Sequence, residues 1–135
     1  MDELWSYVAR KGQVVWVWVA LERVSRRIVG LAFGDRSADT CCRLWQSLPA
    51  DYRKRAICYT DEYEPYNLVL PSKRHRAMPK GSGATSLIER FNLTLRNWCA
   101  NLNRKTLAIS QSVALHCTRI RLVINHYNSL HAGLW

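Results

Sequence analysis

Along the first third of the chain, apolar residues fall at every second position or in unbroken runs. In DELWSYVA the alternation puts Asp2, Leu4, Ser6 and Val8 on one face and Glu3, Trp5 and Tyr7 on the other, the period of a strand. KGQ, Lys11 to Gln13, is a turn signal. VVWVWVAL follows it, apolar on both faces and rich in β-formers, so a strand covered on both sides is expected. Glu22 to Arg26 is polar enough for a second turn, and RIVGLAF reads as a third strand. Three strands on short connections predict an antiparallel meander. After GDRS the period becomes helical. Ser37 is placed to cap a helix, and ADTCCRLWQSL carries Cys41, Leu44, Trp45 and Leu48 on one side until Pro49. RAICYTD is expected to be a short buried strand ending at Asp61, and EPYNLVL a brief helix. PSKRHRAMPKGSGATS, punctuated by proline and glycine, reads as a mobile basic loop carrying Lys73, Arg74, Arg76 and Lys80. Two helices close the chain, roughly Ser86 to Asn103 and Ser110 to Tyr127. The order β-β-β-α-β-α-α predicts one mixed-sheet α/β domain over residues 1–135.

Composition adds a partner to this outline. A chain of 135 residues with 48% hydrophobic residues is long and apolar enough to bury a core. Its formal net charge of +10 points to a polyanion, with nucleic acid ahead of an anionic membrane surface. The longest apolar run, Val14 to Leu21, is too short to span a bilayer. The start, MDELWSYV, is acidic and lacks the basic-then-apolar order of a signal peptide. Five cysteines, Cys41, Cys42, Cys58, Cys99 and Cys117, include no CxxC pair, so reduced thiols of a cytoplasmic protein are expected. A zinc site using Cys41, Cys42 and a histidine is the alternative.

Only ten acids stand against twenty Lys and Arg, so an acid beside an apolar segment is informative. Asp2 shares a strand face with Leu4 and Val8. Asp61 ends a predicted strand, and ligand sites of open α/β sheets gather at the carboxyl ends of strands. Glu89 opens a helix whose apolar stripe is Ile88, Phe91, Leu95, Trp98 and Leu102. Beside that stripe, Glu89, Asn92 and Arg96 share a polar face. Each acid also has an ordinary reading. Asp2 is an exposed acid near the start, Asp61 begins a capping box with Glu64, and Glu89 complements the helix macrodipole. Glu62 and Glu64 invite a false assignment as metal ligands. Trp16 and Trp18 are assigned to the core rather than to base stacking, and His75 to the exposed surface.

DELWSYV, GDRS, YTDEYEPY, LPSKRHRA, IERFNLTLR, RKTL and HYN, taken together and in this order, resemble the catalytic half of the insertion sequence 1 (InsB-type) transposases. The likeness covers nearly the whole chain. It implies an RNase H-like fold and the chemistry of DDE transposases, DNA strand cleavage and strand transfer at insertion-sequence ends. By this resemblance Asp2, Asp61 and Glu89 fall on the family's acidic triad. Arg96, seven residues beyond Glu89, falls on a basic position that faces DNA.

Such chemistry uses two divalent ions about 3.5–4 Å apart, which activate the incoming oxygen and stabilise the leaving one. Mg²⁺, with Mn²⁺ as substitute, is the expected cofactor, Asp61 bridging both ions and Asp2 and Glu89 each completing one. Lys73, Arg74, Arg76, Lys80, Asn92 and Arg96 are the expected DNA contacts, giving salt-sensitive, sequence-independent affinity.

The resemblance further implies an upstream zinc-finger and helix-turn-helix part, joined to this chain as a fusion, and a homo-oligomer that holds two element ends. It also raises the expectation that the strand bearing Asp2, with only Met1 ahead of it, holds its ligand poorly. The alternative function is a non-catalytic DNA-binding or inhibitory fragment that keeps the fold.

Overall fold

The computed structural model describes residues 1–8, 10–79, 81–99, 102 and 112–131. Its first three elements are the strands β1 (Asp2–Val8), β2 (Arg10–Leu21) and β3 (Ile28–Gly34), paired antiparallel in the order β1-β2-β3. The expected meander is therefore present. Its central strand is apolar on both faces because each face meets its own core. Val15, Val17 and Val19 join Leu4 and Val8 in one cluster, while Trp18 and Ala20 point the other way into a second. The turn between β2 and β3 is closed by Arg26 N donating to Glu22 O and Glu22 N to Arg27 O, both at 2.9 Å. It holds Arg26 at a left-handed φ of 64°.

Next come α1 (Ala38–Ser47), α2 (Ala50–Arg55), β4 (Cys58–Thr60), α3 (Glu64–Val69), a single 3₁₀ turn (Ser72–Arg74) and β5 (His75–Ala77). α1 lays Cys41 and Leu44 on the second core with Trp18 and Tyr66. Gly30 of β3 permits this close approach, since a Cβ there would stand 2.8 Å from Leu48 Cδ2. Ser37 occupies the cap position of α1 but makes no side-chain cap bond. Its hydroxyl and its N–H both donate to Asp35 Oδ1 instead.

Several expectations need correction. Lys11 to Gln13 are not a turn but part of β2, which begins at Arg10. Residues 50–55 are a helix after Pro49, so the strand begins only at Cys58. The basic segment after Pro71 is partly ordered, because β5 pairs in parallel with β4 through Cys58↔His75, Tyr59↔Arg76 and Thr60↔Ala77. His75 is consequently half-buried, and its Nε2 lies 2.7 Å from Thr60 Oγ1, rather than being exposed.

The closing helices are α4 (Ser86–Trp98) and α5 (Val113–Leu130). Their inner stripes, Ile88, Phe91 and Leu95 from α4 and Ile120, Ile124 and Tyr127 from α5, complete the first core against the meander. Phe91 and Tyr127 meet edge to face at 4.8 Å between ring centres. Ser112 caps α5 by accepting from Leu115 N at 3.1 Å. α4 ends at Trp98, before the expected end near Asn103, and α5 begins at Val113, after the expected start at Ser110; Asn103, Ser110 and the RKTL motif themselves lie outside the described residues. Among the described residues no helix is long and apolar enough to cross a membrane.

Candidate active site

Asp2 is the first residue of β1 and pairs with Val19, so the central strand of the meander fixes its backbone. Asp61 follows β4 directly and accepts a hydrogen bond from Tyr63 N at 3.0 Å. The two meet because the start of β1 lies beside β4, where Met1 N donates to Tyr59 O at 2.9 Å. Oxygen atoms of Asp2, Glu3 and Asp61 all lie within 4.8 Å of one another. Burial, and then the neighbouring Glu3, push the Asp2 carboxyl up to about 6. A divalent cation between the aspartates would offset both causes. Hard oxygen donors of this kind suit Mg²⁺ or Mn²⁺, so Asp2 and Asp61 fit the expected ion.

Glu3 does not fit it, although it is the third acid of the cluster. Its Oε1 accepts from Arg36 Nε at 3.2 Å and Nη2 at 2.8 Å, and its Oε2 accepts from Tyr66 Oη at 2.6 Å. The Arg36 guanidinium is itself held over the rings of Trp16, at 4.8 Å, and Tyr63, at 4.1 Å. Burial, and next Glu3, raise the Tyr66 phenol well above its ordinary range, so it stays a donor. Both Glu3 oxygens are thus engaged, and its charge is paired with Arg36. Sequence reasoning missed this network. Only the long-range partners Arg36 and Tyr66 distinguish Glu3 from any other acid on a strand.

α4 reaches the cluster through Asn92. This residue is buried, and its Nδ2 donates to Asp2 Oδ2 at 2.7 Å, while its Oδ1 is enclosed without a partner. Leaving an enclosed acceptor unsatisfied costs about 1–3 kcal/mol. Glu89, one helical turn earlier, is exposed, and its Oε1 accepts from Thr85 Oγ1 at 3.0 Å. It is not among the acids whose oxygens lie within 4.8 Å of one another.

The expected DNA contacts divide by exposure. Lys73 and Arg76 are exposed, and Arg76 Nη1 donates to Lys73 O at 3.1 Å and to His75 O at 3.2 Å. Arg74 is half-buried and spends Nη2 on Arg53 O at 2.6 Å, so it serves the junction of α2 with the 3₁₀ turn. Arg96 is half-buried on α4, and Lys80 lies outside the described residues. Trp18 is fully enclosed and donates its indole N–H to Asp35 O at 2.9 Å, as a core residue should. Glu62 and Glu64 are exposed and outside the acidic cluster. Cys41 is enclosed in the second core, where burial, then Glu3, push its thiol up to about 12. Among the described residues the one group of side chains with metal-binding geometry is Asp2, Glu3 and Asp61, which includes no cysteine or histidine, so the zinc alternative gains no support.

The family model described as IS1 transposase matches residues 1–131. Insertion element IS1 4 protein InsB of Escherichia coli (strain K12) is 38% identical over 128 residues, which are 94% of this chain and 71% of that protein. Insertion element IS1 protein InsB of Shigella flexneri is 38% identical over 127 residues, covering 94% of this chain and 90% of its own. The InsB protein of Shigella sonnei is equally similar, at 38% over 128 residues. No solved structure matches the chain significantly.

Proposed function

The chain belongs to the IS1 transposase family, and on that premise we propose that it is the catalytic domain of a DDE transposase, acting on DNA at insertion-sequence ends. The observation that carries this reading is the meeting of Asp2, from β1, with Asp61, from the end of β4. Two hydrophobic cores and two strand systems are arranged so that these carboxylates converge. We read the meander and the β4–β5 pair as one RNase H-like mixed sheet, a reading supported by the Met1–Tyr59 bond between them.

Two divalent ions, when bound, supply charge neutralisation at the attacking and leaving oxygens of the phosphodiester. The chain's own residues do the rest. Asp61, beside Asp2, would hold both ions, and Asp2 would complete one. Arg36 pairs with Glu3, which leaves the two aspartates as the available anions. Glu89 is the third carboxylate. It stands on the α4 turn that precedes Asn92 and would have to leave its bond to Thr85 to join the centre. Lys73, Arg76 and Arg96 would hold DNA phosphates. Pairing of two element ends calls for more than one copy. Recognition of those ends belongs to an upstream zinc-finger and helix-turn-helix part.

The test is metal-dependent cleavage of element-end DNA by the chain fused to that upstream part. Asp61→Asn and Glu89→Ala are expected to lose cleavage by about a hundredfold or more while keeping DNA affinity. Undiminished cleavage in Asp61→Asn would remove the assignment. The exposure of Glu89 favours one second reading, a DNA-binding or inhibitory fragment without catalysis. Under it, no metal-dependent cleavage is seen even in the wild-type fusion, and only the basic residues matter for DNA.

A further inference from the structure

Asn92 is a buried polar group that the acidic triad leaves without a role. It is 8% exposed, on a helix fixed by the core residues Ile88, Phe91 and Leu95. One end of its carboxamide is spent on Asp2 Oδ2, at 2.7 Å, and the other end is enclosed with no partner. Nearly all buried polar groups are satisfied, so a half-satisfied carboxamide against an acidic cluster calls for an explanation. The orphaned oxygen is bonded through Cγ to the amide that touches Asp2, so it belongs to the immediate surroundings of the acidic cluster.

Resting on the reading of Asp2 and Asp61 as cation ligands, we propose that Asn92 is a further ligand of that centre, giving its carbonyl oxygen to the ion held by Asp2. Asparagine carbonyl oxygens bind hard divalent cations alongside carboxylates. The spacing suits this use. Adjacent ligands of an octahedral ion bound at about 2.1 Å stand about 3.0 Å apart. The separation of Asn92 Nδ2 from Asp2 Oδ2, 2.7 Å, is close to that edge. A half-turn of the carboxamide puts Oδ1 where Nδ2 stood. The hydrogen bond then becomes shared coordination, and α4 does not move. A neutral ligand also adds no charge where three acids already crowd within 4.8 Å of one another. By this arrangement, cation binding ties α4 to β1 and holds Glu89 one turn from the centre.

The experiment uses the whole chain loaded with Mn²⁺, prepared with asparagine labelled with ¹³C at Cγ, and reads pulsed electron–nuclear double resonance. A ¹³C coupling of a directly bound carboxamide is expected in the wild type. It should vanish in Asn92→Asp, which keeps an oxygen ligand and Mn²⁺ binding but carries no label. Asn92→Leu should weaken Mn²⁺ binding by about tenfold or more. Mn²⁺ bound by the wild type with no such coupling overturns the Asn92 assignment and leaves the Asp2–Asp61 centre standing. Mn²⁺ binding that is absent from the wild type, as from Asp61→Asn, overturns the centre and Asn92 together.

Discussion

Asp2 holds its charge against its surroundings. Burial and Glu3 raise its folded-state carboxyl to about 6 from an ordinary 3.8. The folded pKa is the higher one, so the associated stability is complete below about pH 4 and is lost as pH rises through 6. Asp2→Asn, neutral throughout, should therefore be more stable than the wild type at pH 7 by about 2–3 kcal/mol in the presence of chelator. The advantage should vanish near pH 4. Urea unfolding of both proteins at the two pH values measures it. His116, kept neutral by burial, loses stability in the opposite direction, as pH falls below its unfolded value. Comparing the two proteins at each pH cancels that contribution. Asp2 and Asp61 could be singled out only through the resemblance to a transposase family; their positions, at the start of β1 and just after β4, also suited ordinary acids. Asn92 was legible only as part of a polar face. Helical spacing tells which residues share a face, and not whether that face meets solvent, DNA or Asp2.

At the scale of elements, the meander could be read because its period-two pattern is long and each strand buries apolar residues on at least one side. The short elements were harder. α2 has only six residues, yet it carries Asp51 in its first turn and Arg53, Lys54 and Arg55 in its last, the order that a helix dipole favours. β5 had no such signal to offer, because three residues beside a partner strand gain their order from β4 and not from a local pattern. The β2–β3 turn carries its own prediction. Arg26 sits at a φ of 64°, a conformation that costs an L side chain about 1 kcal/mol and glycine almost nothing. Arg26→Gly should stabilise the chain by about 0.5–1 kcal/mol, since it removes that strain at a small entropic cost. A thermal melt that stays put or falls would show that the arginine side chain contributes more than the turn loses.

The whole molecule carries a formal charge of +10, and three of its ten acids, Asp2, Glu3 and Asp61, meet where the two strand systems adjoin. On the proposed reading the basic residues would draw a polyanionic substrate, while the carboxylates would need a cation before a phosphate could approach them. This separation of duties predicts that affinity and chemistry are affected by different substitutions. Lys73→Ala with Arg76→Ala should lower the salt dependence of DNA binding by about two units if both touch phosphate, leaving divalent-ion binding unchanged. Arg74→Ala should act through stability instead, because its guanidinium holds Arg53 O. Filter binding across a salt series separates the two. Equal loss of slope from Arg74→Ala would place that arginine on the DNA after all.

The central claim is that β1 and β4 bring Asp2 and Asp61 together as one divalent-ion centre. It is tested most directly by calorimetric titration of the chain with Mn²⁺, with Asp61→Asn titrated alongside. Saturable binding near neutral pH, weaker at pH 5 where Asp2 holds its proton and absent from Asp61→Asn, is the predicted result. Equal binding by both proteins, or none by the wild type, would contradict it.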